Sequence, residues 1–226
     1  MRGLFVTATG TGVGKTVVAA SILAALRARG ERAVPFKPVV TGCDEPVDPN
    51  WPPDDALLGA AASVPAEAVT AARFGPPVSP HLAAELAGKP LDPAVLRGAF
   101  DARAAEAETV VVEGVGGLLV PLTRDYLVRD LAADLGLPLV VAASPALGTI
   151  NHTLLTLEAA RAAGLRVAGV VLTPWPAQPS SMEDDNRATI ARLGDVEVAK
   201  LPRLPRADPT LLAQAGAELP LDRWLG

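Results

Sequence analysis

Hydrophobic positions in this 226-residue chain follow two alternating patterns. Short, nearly continuous apolar runs include GLFVTA (Gly3 to Ala8), TVVVEGVGG (Thr109 to Gly117), PLVVAAS, RVAGVVLT and VEVAKLP. Their length and β-branched content are those of strands buried on both faces. Between them lie longer stretches with apolar residues at helical spacing. TVVAASILAALRARG (Thr16 to Gly30) has arginines in its last turn and a glycine to stop it. DPAVLRGAFDARAAEAE (Asp92 to Glu108) starts with an aspartate cap and a proline at its first helical position. RDLAADLG and INHTLLTLEAARAAG read as further helices, and the acids Glu183 to Asp185 as the solvated start of another. RAVPFKPVV (Arg32 to Val40) reads as a strand, but Pro35 and Pro38 place it at an edge or end it early. The segment from Thr41 to about Pro90 is loop-rich, with one short helix starting at DDALLGAAA.

This alternation predicts an α/β fold of three layers, αβα, around a mostly parallel sheet, in one domain spanning residues 1–226. Ligands of such sheets sit beyond the carboxyl ends of the strands. The candidate positions are therefore Ala8 to Thr16, Lys37 to Cys43, Glu113 to Gly117, Ser144 to Asn151 and Thr173 to Pro174.

Composition narrows the function classes. Half of the residues are hydrophobic, enough for a sizeable core, yet no apolar run is long enough to span a bilayer. A single cysteine, Cys43, leaves no internal disulfide and no cysteine-rich metal site. A net charge of −5 without a basic patch argues against nucleic acid as a partner. With no charged leader ahead of the first strand, these features predict a soluble, cytoplasmic protein that does not engage membranes.

The chemistry begins at TATGTGVGKT (Thr7 to Thr16), which follows a strand and opens a helix. Backbone N–H groups of such a loop, with the positive end of the helix dipole, bind phosphate oxygens. Lys15 would reach the outer phosphates and the Thr16 hydroxyl would ligate Mg2+. The usual spacing puts a glycine at position 9, where this chain has threonine; the small residue is Ala8, one position further back. An alanine there costs little if its φ is negative, and roughly 1 kcal/mol in a left-handed conformation. Glu113 ends an apolar strand, where a carboxylate without a cation would be costly to bury.

FVTATGTGVGKT resembles the loop of the dethiobiotin synthetase family, which carries the same extra residue. The resemblance continues through FKPVVTG (Phe36 to Gly42), DDAL (Asp54 to Leu57), VSPHLAAELAGKPLD (Val78 to Asp92), VVEGVGGLLVPL (Val111 to Leu122), LGTINHTLLT (Leu147 to Thr156) and AGLRVAGVVL (Ala163 to Leu172). It implies an ATP- and Mg2+-dependent ligase, a P-loop NTPase-like fold and a homodimer. The reaction would join CO2 to the two amines of diaminopelargonate through a carbamate and a carbamic–phosphoric anhydride, closing the ring of dethiobiotin.

By the same resemblance Lys37, Lys15 and Thr11 are catalytic. Gly12, Val13, Gly14, Lys15, Thr16 and Val17 hold the phosphates, with Gly114, Val115 and Gly116 beside them. Thr16, Asp55 and Glu113 hold Mg2+, Asp55 because it directly precedes AL and Asp54 as the fallback; either acid could equally cap the following helix. Thr41, Ser79, Pro80 and Gly117 meet the substrate. Leu147, Gly148, Thr149 and Asn151, from the second subunit, hold its tail carboxylate. Thr173 and Pro174, with Pro202, Arg203 and Leu204, border the base. His81 and His152 lack metal-ligand spacing and read as structural histidines.

Several positions depart from the family pattern. Gly10 stands where an aspartate is common. Thr173 stands where an asparagine often reads adenine, and threonine cannot make that two-sided amide contact, which leaves the preference for ATP open. Rival readings are a partitioning or switch ATPase and a small amidoligase of the same group. The first usually has an extra lysine at the start of the loop, absent here, and the second a glutaminase domain for which the chain is too short.

Overall fold

The computed structural model describes residues 2–226. Seven strands, β1 (Arg2–Ala8), β2 (Ala33–Val40), β3 (Thr70–Arg73), β4 (Thr109–Glu113), β5 (Leu139–Ala143), β6 (Val167–Trp175) and β7 (Val198–Pro202), form one sheet in the order β3-β2-β4-β1-β5-β6-β7. Every pairing is parallel. The chain moves from β1 toward β2 on one side and later from β4 to β5 on the other, so the strand order reverses around β1. Such a reversal opens a crevice at the strands' carboxyl ends.

Each central strand alternates between two cores. Leu4, Val6 and Ala8 face one cluster together with Val111, Val140 and Ala142. Phe5, Val110, Val112 and Leu139 face the opposite one. The first layer contains α1 (Lys15–Ala28), α2 (Asp54–Ala62), α8 (Pro209–Ala217) and α9 (Leu221–Leu225). The second contains α3 (Pro80–Leu86), α4 (Pro93–Ala104) and α5 (Val128–Leu135), with α6 (Thr149–Ala162) and α7 (Ser181–Gly194) alongside. Three layers were expected, and the sheet is parallel throughout.

The local signals hold where the chemistry is short-range. Asp92 accepts a hydrogen bond from the Ala94 N–H with Pro93 at the first helical position, although α4 ends at Ala104 and not at Glu108. Glu183 closes a capping box with Ser180 at the start of α7. Two expectations need correction. The strand β2 is interior, between β4 and β3. Its Lys37 N–H donates to Val69 on the β3 side, and N–H directions alternate along a strand. Pro35 therefore faces that side before β3 begins, while Pro38 faces β4 beyond the last registered pair, Phe36 with Val112. Neither proline removes a ladder bond. The loop-rich stretch also contains the edge strand β3 and helix α3. Among the described residues no helix is long and apolar enough to cross a membrane.

Candidate active site

The strand β1 ends at Ala8 and the chain turns over β4 and β5 into α1. Only Ser63 and Asp195 have positive φ among the described non-glycine residues. Ala8 thus sits in ordinary strand geometry at no conformational cost. The left-handed positions fall on Gly12 (φ 76°) and Gly14 (φ 94°). Gly14 caps α1 and no side chain caps it there, so the first-turn N–H groups of Lys15, Thr16 and Val17 stay open to an anion. Val13 packs against the apolar core and anchors the loop.

Four elements converge behind this loop. The ammonium of Lys37, from β2, lies 2.7 Å from Glu113 Oε1 and 2.7 Å from Asp54 Oδ2. Lys15 lies 3.4 Å from the same Glu113 oxygen. The Thr16 hydroxyl is 2.9 Å from Asp54 Oδ1 and 3.0 Å from Glu113 Oε1. Glu113 is fully buried and Lys37 is 2% exposed. Burial opposes the charge on Lys37, but Glu113 and Asp54 outweigh it and hold its pKa above the ordinary lysine value. Burial prevails at Lys15, whose pKa is lowered, with Lys37 adding to the effect against the pull of Glu113. Burial would raise the pKa of Asp54, yet Lys37, Lys15 and the Thr16 hydroxyl together bring it below 3.8.

The oxygens fit a small hard cation. Thr16 has one hydroxyl proton and can donate to only one of its two carboxylate neighbours. Cis oxygens of an octahedron with bonds of about 2.1 Å lie about 3.0 Å apart, the spacing of these contacts. Glu113 Oε2 is buried without a hydrogen-bond partner, a further acceptor in need of a positive group.

The adjacent acid is placed differently from the expectation. Asp55 is fully buried, its Oδ2 accepts from Arg73 Nη1 and its Oδ1 from the Ala56 N–H at 3.1 Å. It turns away from Thr16, and Asp54 takes the place expected for Asp55. Consecutive residues in a helix point about 100° apart, so only one of the pair can face the cluster.

A cavity of about 600 Å³ opens in front of these groups. Thr11, Lys15, Lys37, Thr41, Ser79, Pro80, Val115 and Gly116 line it, together with Asp54, Arg73 and the segment from Cys43 to Asp48. Gly116 has φ 59°, and a side chain there would run into Val120. Gly114 lies against Phe5 and Val128, and Gly117 packs beneath the Ala8 carbonyl, letting the β4 loop reach the phosphate loop. His81 is satisfied by Ser79 Oγ at 3.0 Å.

Two other groups of expected residues lie outside this cavity. Thr173 is 2% exposed, and its methyl is 3.0 Å from where a Gly14 Cβ would stand. Beyond Pro174 and Trp175, Arg203 N–H donates to the Trp175 carbonyl at 3.1 Å, bringing Pro202, Arg203 and Leu204 alongside. The turn Leu147 to Asn151 opens α6, with Leu147 87% exposed and Gly148 at φ 93°. Thr149 is buried near Thr153. A second depression, of about 450 Å³, lies between the two loops and the α6 face bearing His152 and Leu155. Sequence reasoning missed Arg73, because an arginine ending a short strand carries no chemical signature.

A family model described as an AAA domain matches residues 2–210. An ATP-dependent dethiobiotin synthetase BioD of Anaeromyxobacter dehalogenans (strain 2CP-1 / ATCC BAA-258) is 47% identical over 195 residues, covering 85% of this chain and 86% of its own. A protein of the same name from Anaeromyxobacter sp. (strain K) is 46% identical over 208 residues, covering 91% and 92%. Among solved structures, the MinC:MinD cell division protein complex of Aquifex aeolicus matches with a TM-score of 0.56 at 12% identity, covering 99% of this chain and 94% of that one. That last likeness concerns the fold alone. On sequence identity sustained over most of its length, the chain belongs to the dethiobiotin synthetase family.

Proposed function

We propose that the chain carboxylates diaminopelargonate and closes it to dethiobiotin, using ATP. The observation that carries this reading is the cluster of Lys37, Lys15, Asp54, Glu113 and Thr16 at the base of a cavity that also presents Thr11, Thr41 and Ser79. A nucleotide hydrolase needs the phosphate loop and an acid. The rival switch ATPases place their extra lysine at the start of the loop, whereas here the second lysine comes from β2 and faces an additional cavity.

In this reading the amine captures CO2 as a carbamate and loses a proton. A carbamate oxygen attacks the γ-phosphorus, ADP leaves, and the second amine then attacks the carbonyl carbon and expels phosphate. Negative charge accumulates throughout on carbamate and phosphate oxygens, so fixed cations supply much of the stabilisation. Lys37 stays protonated and donates to the oxygen shared between carbamate and phosphate. Lys15 and the N–H groups of Gly12 to Val17 hold the phosphates. Thr16, Asp54 and Glu113 would hold Mg2+, which would supply charge neutralisation for the triphosphate. Thr41 and Thr11 orient the diamine, with Ser79, Pro80 and Gly117 around it.

Thr173 and Pro174 with Pro202, Arg203 and Leu204 border the base. Family resemblance supports a homodimer in which Leu147, Gly148, Thr149 and Asn151 of the second subunit receive the tail carboxylate. The left-handed Gly148 and uncapped start of α6 suit an anion there.

Lys37→Ala tests the assignment. Turnover is expected to fall by about three orders of magnitude, the scale of losing a transition-state charge partner, with ATP affinity changed by less than about threefold. Equal losses of turnover and ATP binding would move Lys37 to the ground-state phosphates.

A further inference from the structure

Arg73 has no part in the reaction as set out above, yet it lines the same cavity as Lys15, Lys37 and Thr41. It ends β3 in register with Val40, which places it across the sheet edge from the residue preceding Thr41. Its Nη1 donates to Asp55, a carboxylate with no exposed surface on the first turn of α2. A buried carboxylate needs a cation. Satisfying Asp55 nevertheless leaves 45% of the Arg73 side chain exposed.

The remaining donors point to a ligand class. Lys37 is drawn between Glu113 and Asp54, and Lys15 toward Glu113. On Arg73, Nη1 alone has an acceptor among the described residues. That leaves the Nε–Nη2 edge, whose two near-parallel N–H groups match the two oxygens of a planar carboxylate. Asp55 fixes the guanidinium from behind and so lowers the entropic cost of using that edge.

We propose that Arg73 binds the carboxylate of the carbamate, with Asp55 as its positioning residue; this rests on the ligase reading above. The carbamate forms beside Thr41 and Lys37, which share the cavity with Arg73. The tail carboxylate belongs with Leu147 to Asn151, none of which lines it. The phosphates are held by the loop at the start of α1.

Steady-state kinetics with bicarbonate, diamine and ATP varied in turn test this. Arg73→Ala is expected to raise the KM for bicarbonate roughly tenfold, the scale of a charge-assisted pair, and to leave the KM for ATP within about twofold. Arg73→Lys restores part of the loss, because it keeps charge without the fork, and serves as the readable variant if alanine impairs folding. Asp55→Asn raises the same KM to a smaller extent. A lowered melting temperature with an unchanged bicarbonate KM in both Arg73 variants would make the pair purely structural and overturn the proposal. So would an effect of Arg73→Ala that disappears with a vicinal diamine lacking the tail carboxylate, since the arginine would then bind the tail. Failure of the unmodified protein to form any dethiobiotin would overturn the ligase reading itself, a separate result.

Discussion

Lys37 and Glu113 are legible in sequence because Lys37 interrupts an apolar run and Glu113 ends one. A charged residue in a strand otherwise buried on both faces must have a partner or a ligand. Asp54 and Asp55 show where that logic stops. Both begin the same helix, and matching residue types along the chain favoured Asp55. The phase of α2 points Asp54 toward Thr16 and Asp55 toward Arg73, and phase depends on how the helix packs against α1 and β2. Mg2+ titrations separate the two. Asp54→Asn is expected to raise the Mg2+ concentration needed for half-maximal activity by roughly tenfold to a hundredfold, as loss of a charged ligand does, while Asp55→Asn changes it by less than about threefold. The reverse ranking would return the metal to Asp55. Arg73 was not legible at all, since only its long-range partner Asp55 gives it meaning.

At the scale of elements, the central strands and the helices α1, α4, α6 and α7 follow from periodicity and caps. The strand β3 was missed because it is four residues long and its burial alternates at the sheet edge. The interior place of β2 was missed because its prolines are tolerated by a register no local pattern reveals. The C-terminal helices are held by close approach. A Cβ on Gly216 of α8 would stand 2.0 Å from the Ser21 carbonyl oxygen and 2.9 Å from Ala25 Cβ in α1. In a free helix, glycine to alanine stabilises by about 0.5–1 kcal/mol. Here the sign should reverse, and Gly216→Ala is expected to cost about 1–3 kcal/mol through overpacking. Chemical denaturation checks this, and a stabilised variant would mean that α1 and α8 sit further apart.

Across the whole molecule, one reversal of strand order gathers residues distant in sequence. The loop after β1 supplies open backbone N–H groups, β2 brings Lys37, α2 brings Asp54 and β4 brings Glu113, all at the carboxyl edge of one sheet. The segments at Ser79 and Gly116 close the cavity in front of them. Sequence motifs exposed most of this inventory, but not its contacts, because four of the five contacts in the cluster join side chains more than 35 positions apart. The fold is shared at 12% identity with a cell division protein complex, so fold alone does not choose the function. Product chemistry does. Purified protein incubated with ATP, Mg2+, bicarbonate and diaminopelargonate is expected to form dethiobiotin and phosphate in a ratio of about one to one, with phosphate release falling to background when either the diamine or bicarbonate is withheld. Phosphate release that continues without the diamine, or an absence of dethiobiotin when all four are present, would contradict the account.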